Sequence, residues 1–282
     1  MTKKGMIMKK IFTLISILMV IGLVSCETNE IKYETTPIDQ SRFAQVRLIY
    51  DLPLVTSSSL NVAWLIYNGD TVSRVSTPLG SIFPNSAAKY HVLPIGTNSV
   101  KLLQVNTRAV TYEGTFDLEA GRWSAFVYNT SEPPLMVQEP EYYQTGDPWA
   151  DTVCYIRFVN LFHKADGTPM GKLYLKGKRT INNVVTYIDI ASANYGEASD
   201  YVPYKLYRQG IKVWSGTESA LVFTVFDENG AQLQYYKTAT TKGAYEATGL
   251  SMTKGVNYIL HFNGKDGTYT TQAYRLSQFT VN

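Results

Sequence analysis

The run Ala44-Gln45-Val46-Arg47-Leu48-Ile49 returns 110 residues later as Cys154-Tyr155-Ile156-Arg157-Phe158-Val159. In each copy a small residue and two large apolar ones fall at every second position: Ala44, Val46 and Leu48, then Cys154, Ile156 and Phe158. That is the period of a strand with one face on a core. Near the end of each half, Leu118-Glu119-Ala120-Gly121-Arg122-Trp123 is echoed by Met252-Thr253-Lys254-Gly255-Val256-Asn257-Tyr258, a turn followed by an aromatic-rich strand. Between these landmarks Tyr90-His91-Val92-Leu93-Pro94 corresponds less closely to Tyr201-Val202-Pro203, at a smaller separation than the closing motifs show. The uneven spacing places insertions in the second copy. Two similar strand-built units are therefore expected.

The rest of the chain after residue 41 supports this. Short runs rich in Val, Ile, Thr, Tyr and Phe are bounded by Gly, Pro, Asn or Asp, and no stretch sustains a helical period over three turns. Asn68-Gly69, Asn229-Gly230 and the stretch from Asn263-Gly264 to Asp266-Gly267 supply residues that tolerate positive φ, so three hairpin turns are expected there. Ser131 to Trp149 holds Pro133, Pro134, Pro140 and Pro148 and reads as a stiff linker. The expected fold is all-β: two tandem immunoglobulin-like β-sandwiches, residues 42–130 and 151–282, joined by a linker over 131–150.

The N-terminus follows another logic. Lys9 and Lys10 precede an apolar run from Ile11 to Val24, too short for a bilayer crossing of about 20 residues and suited to a signal peptide. The run ends in Leu23-Val24-Ser25-Cys26, which resembles a bacterial lipobox. The resemblance implies that residues 1–25 are removed and that Cys26 becomes a lipidated N-terminus, making the membrane a partner through its acyl chains. Residues 26–41, polar and unpatterned, read as a flexible tether. Glu27 and Glu30 resemble, loosely, the export signal of Bacteroidetes-type lipoproteins, which implies the outer membrane and leans towards the cell surface. Cys154 is then the one cysteine left for the folded part, so no intramolecular disulfide forms, and alternation puts its thiol on the core face.

Removing the leader changes the charge balance. The whole chain has 26 Lys plus Arg against 23 Asp plus Glu; without Lys3, Lys4, Lys9 and Lys10 the balance is 22 to 23, a net charge of −1. A nucleic-acid partner loses its electrostatic support. The two opening strands, Val46-Arg47-Leu48-Ile49-Tyr50 and Ile156-Arg157-Phe158-Val159-Asn160, resemble the Val-Arg-Phe-Val-Asn strand of a secreted bacterial domain family of unknown function, commonly tandem and lipid-anchored. The closing turns at Gly121 and Gly255 fit it too, whereas its Ser-Pro-Asp after the first strand is replaced by Asp51-Leu52-Pro53 and Leu161-Phe162-His163. The resemblance implies a fold and a location, and no activity.

Signatures of catalysis are sparse. His91, His163 and His261 have no partner at zinc-ligand spacing, and no nucleophile elbow, P-loop or dinucleotide fingerprint occurs. His91 and His261 fall within strand patterns, and His163 is expected in a solvated loop. Asp227-Glu228-Asn229-Gly230 lacks the spacing of a calcium loop and reads as a turn. No cofactor, metal or catalytic residue is assigned. The excess is aromatic: 21 tyrosines, of which Tyr142 and Tyr143, with Trp149, lie in the expected linker as candidate ligand-binding residues. An exposed ring can stack on a sugar, so a glycan or another envelope protein is the expected partner. The reading is a non-enzymatic binding or spacer protein. Two alternatives stand beside it: a structural subunit of an adhesive appendage, donating the strand-rich segment from Tyr269 to Val281, and a β-sandwich glycan hydrolase using two facing carboxylates.

Overall fold

The computed structural model describes residues 38–52, 61–78, 80–83, 90–140, 153–181, 184–205, 207–208, 211–212, 217–253, 255–270 and 273–281. Residues 39–282 form one compact unit. Among the described residues every regular element is a strand.

The first half contains β1 (Phe43–Tyr50), β2 (Val62–Tyr67), β3 (Asp70–Ser73), β4 (Ser81–Phe83), β5 (His91–Pro94), β6 (Gly96–Gln104), β7 (Val110–Leu118), β8 (Arg122–Val127) and β9 (Leu135–Glu139). They form two sheets, β4-β1-β8-β9 with β5 also on β1, and β3-β2-β6-β7. The second half contains β10 (Val153–His163), β11 (Leu173–Ile181), β12 (Val184–Ala193), β13 (Glu197–Ala198), β14 (Val202–Lys205), β15 (Tyr207–Arg208), β16 (Ile211–Lys212), β17 (Thr217–Phe226), β18 (Gln234–Tyr236), β19 (Lys242–Ala244), β20 (Ala247–Thr253), β21 (Asn257–Lys265) and β22 (Ala273–Val281). Its main sheets are β13-β10-β21-β22 with β14 on β10, and β12-β11-β17-β20. The two halves thus share one strand order. The insertions expected in the second copy are two small ladders, β15-β16 and β18-β19.

The repeat in the sequence is the repeat in the sheets. In each copy the opening strand runs parallel to the closing aromatic strand, Val46 opposite Trp123 and Ile156 opposite Tyr258. It runs antiparallel to the short middle strand, Ala44 opposite Leu93 and Cys154 opposite Tyr204. Ala44, Val46, Leu48 and Tyr50 pack on Leu65, Tyr67, Leu102, Tyr112 and Phe116 across the first sandwich. Cys154, Ile156 and Phe158 pack on Leu175, Phe223 and Val225 across the second.

Strict alternation fails in the opening strands, and the reason is tertiary. Ile49 and Arg47 in β1, and Val159 and Leu161 in β10, point away from their own cores and are nonetheless buried. The two inner sheets pack back to back: Ile49, Phe126 and Val137 of the first meet Val159, Leu161, Ile259, Phe279 and Val281 of the second. Full burial stabilises each such side chain by about 1.5–3 kcal/mol relative to exposure. The molecule is therefore four layers, outer, inner, inner, outer, with a third core at the junction.

Three local expectations need correction. β9 lies within the stretch expected as a linker and is a strand of the first inner sheet, pairing with β8 from Arg122–Glu139 to Phe126–Leu135. Pro133, Pro134 and Pro140 flank it, so they withhold no ladder donor, and the Tyr112 hydroxyl donates to the Glu132 carbonyl at 2.8 Å. Asn263-Gly264 is not a turn but part of β21, because Asn263 is drawn into the junction; the chain reverses beyond Asp266, whose carboxylate caps Gly267. His163 ends β10, opposite Lys265, and is buried. The other two turns form as expected: Asn68 and Gly69 have φ of 50° and 87°, and the Asp227 carboxylate accepts from the amides of Asn229 and Ala231.

Candidate functional site

Polar chemistry concentrates in the junction. Arg47 is fully buried in β1; its Nε donates to Glu139 Oε1 at 2.6 Å and its Nη1 to the Thr280 carbonyl of the second sandwich at 3.1 Å. The same carboxylate accepts from the Ser124 and Tyr90 hydroxyls. The guanidinium lies 5.0 Å from the Tyr90 ring centroid and 4.5 Å from that of Phe279. The second copy answers in kind: Arg157 stacks on Tyr201 at 4.3 Å and donates to the Gln138 carbonyl of the first sandwich at 2.9 Å. Gln138 stands opposite Trp123 and Thr280 opposite Tyr258, equivalent places in the two copies. These reciprocal contacts give the junction the self-complementary pattern of a two-fold interface, built here within one chain.

A second cluster breaks that symmetry. Asp51, just after β1, accepts from His261 Nδ1 at 2.5 Å and from Asn263 Nδ2, both on β21. All three residues are buried, and the imidazole packs between Phe126 and Phe279, with ring centroids at 5.5 and 5.7 Å. At the place of Asp51 the second copy has Leu161. The carboxylate thus comes from one sandwich and its donors from the other.

The remaining histidines are also built in. His163 Nε2 bonds the Tyr195 hydroxyl at 2.7 Å, and His91 packs edge-on to Tyr67. Burial holds both imidazoles below their ordinary pKa. Among the described residues no three of His, Cys, Asp and Glu come together at a metal-binding separation.

Seven of the described tyrosines are core residues. Tyr50, Tyr67, Tyr112, Tyr155, Tyr204, Tyr245 and Tyr258 are buried, and burial pushes the Tyr112 and Tyr245 hydroxyls up to about 12. Tyr187 and Tyr269 are exposed. Cys26, Tyr142, Tyr143 and Trp149 lie outside the described residues. Sequence reasoning did not single out Trp64, which reaches the outer face of the first sandwich with two arginines over its ring. The available signal was the alternation of Trp64 and Ile66 with Leu65 and Tyr67.

No family model matches the sequence, and no curated protein is similar to it. Among solved structures, a candidate cell adhesion protein from Bacteroides ovatus ATCC 8483 is 8% identical, over 85% of this chain and 98% of that chain. The TM-score is 0.21, too small a likeness to carry an argument about fold or function.

Proposed function

We propose that this chain is a lipid-anchored envelope protein that acts without catalysis, binding a glycan or another surface ligand or holding a partner at a distance from the membrane. The observation that supports this best is the junction. Arg47 and Asp51, both fully buried, bind the two sandwiches to each other, with Glu139 holding Arg47 from the first, so the outer sheets are the surfaces left for a partner. A body of this kind behind an acylated Cys26 and a tether of residues 26–41 suits display. The appendage alternative requires β22 to leave its sheet. That strand pairs with β21 over nine residues and buries Leu276, Phe279 and Val281, so donation would uncover part of two cores. The binding reading therefore stands ahead.

Two measurements test it. Cells expressing the chain should incorporate labelled palmitate, and Cys26→Ser should not. A glycan array probed with the mature protein should give a ligand better than millimolar; a blank array together with an empty pull-down from envelope extracts would remove the binding role.

A further inference from the structure

Alternation along β2 turns Leu65 and Tyr67 into the core and leaves Trp64 and Ile66 half-buried on the outer face. Two guanidinium groups lie over the Trp64 ring: Arg74 Cζ is 4.7 Å and Arg108 Cζ 4.5 Å from the ring centroid. Arg74 follows β3, and Arg108 lies in the loop between β6 and β7; both are exposed. Among the described residues neither makes a salt bridge, whereas other cations on the outer sheets have acidic partners: Lys101 with Glu113 at 2.9 Å, Lys176 with Asp189 at 2.9 Å and Lys178 with Glu246 at 2.7 Å.

The backbone adds a second observation. Arg108 has φ of 55°, the left-handed region that costs an ordinary L-residue roughly 1–2 kcal/mol and that turns usually fill with Gly or Asn. The loop is fixed around it: the Gln104 amide donates to the Ala109 carbonyl at 2.9 Å, and Thr107 Oγ1 to Gln104 Oε1 at 2.7 Å. Attraction between one exposed guanidinium and an indole is worth about 0.5–1 kcal/mol. That does not outweigh the strained backbone at Arg108. Fold stability leaves the pair unexplained.

We infer that Trp64, Arg74 and Arg108 form a binding site for an acidic glycan, a sugar chain bearing sulfate or carboxylate groups. The inference rests on the binding reading above and names the ligand class. Guanidinium forks match the paired oxygens of both anions, and Arg74 and Arg108 each present one such exposed fork beside the ring. Trp64 and Ile66 offer an apolar edge for the C–H face of the sugar.

Isothermal titration of the full chain in detergent with heparin, polygalacturonate and neutral dextran tests this. One or both acidic polymers should bind at least ten-fold tighter than dextran, and which of them binds identifies the preferred anion. Added salt should weaken the complex. Arg74→Ala and Arg108→Gly should each lower affinity at least ten-fold, with Arg42→Ala as an unchanged surface control. Gly at 108 keeps the left-handed backbone, so its circular dichroism should match wild type; should either variant misfold, Arg74→Lys, which keeps the charge and removes the fork, should show the loss. Equal binding of acidic and neutral polymers, or arginine variants that bind like wild type, would overturn the site while leaving a glycan role intact. Capture by anionic lipid vesicles with no polymer bound would overturn the site. No binding of any of the three polymers would overturn the site, and the binding role itself would fall only if the array and the pull-down were blank as well.

Discussion

Replacing Asp51 by alanine removes one carboxylate from the junction and strands two donors. His261 is 1% exposed and Asn263 0%, so neither can turn to water when its acceptor goes. Each buried donor left without a partner costs about 1–3 kcal/mol. The gain is that Asp51, itself 0% exposed, no longer has to be desolvated, which recovers part of this. Two stranded donors together cost about 2–6 kcal/mol before that recovery. Against a total stability of roughly 5–15 kcal/mol for a folded domain, that is a large share. Urea unfolding followed by circular dichroism and tryptophan fluorescence measures it. Asp51→Asn keeps one acceptor oxygen and should lose about half as much. Combining Asp51→Ala with His261→Phe should cost less than the sum of the two, by at least about 1 kcal/mol, because the stranded imidazole is gone as well. A loss from Asp51→Ala below about 1 kcal/mol, or additive single variants, would refute the assignment of this cluster as a latch between the sandwiches.

Other tests reach other parts of the molecule. Burial lowers the folded-state pKa of His91 and His163, so the unfolded chain binds more protons below about pH 6.5 and stability should fall as pH drops from 7 to 5; His91→Gln with His163→Gln should flatten that slope in pH-dependent urea titrations. Cys154 is fully buried and should ignore a thiol reagent such as DTNB in the native protein, reacting only in denaturant; rapid native labelling would contradict its place in the core. Gly80 has φ of +74°, and a Cβ there would lie 2.8 Å from Arg275 Cδ across the junction, so Gly80→Ala should cost about 1–2 kcal/mol in thermal unfolding.

The strand register of the two halves was legible because Arg47 and Arg157 sit in matching hydrophobic frames, and a period of two is a local property of the backbone. The same holds for Asn68-Gly69, where both residues must accept positive φ. Trp64 was harder to see as part of a site: its alternation with Leu65 puts it outside, but its two arginines come from separate loops.

What the chain encodes locally, then, is strands, turns, the repeat and the inward faces of β1 and β10. Sheet pairing within each copy follows, since every inward face needs a partner. Only the tertiary structure decided what the other faces do. Ile49 and Val159 look like ordinary apolar residues on a solvent face until the two inner sheets meet. Asp51, His261 and Asn263 look like turn, strand and hairpin residues, and they become one cluster because the strands carrying them belong to sheets packed back to back. Partners 210 and 212 positions apart leave no mark on any local pattern, because the contact is set by the packing of whole sheets.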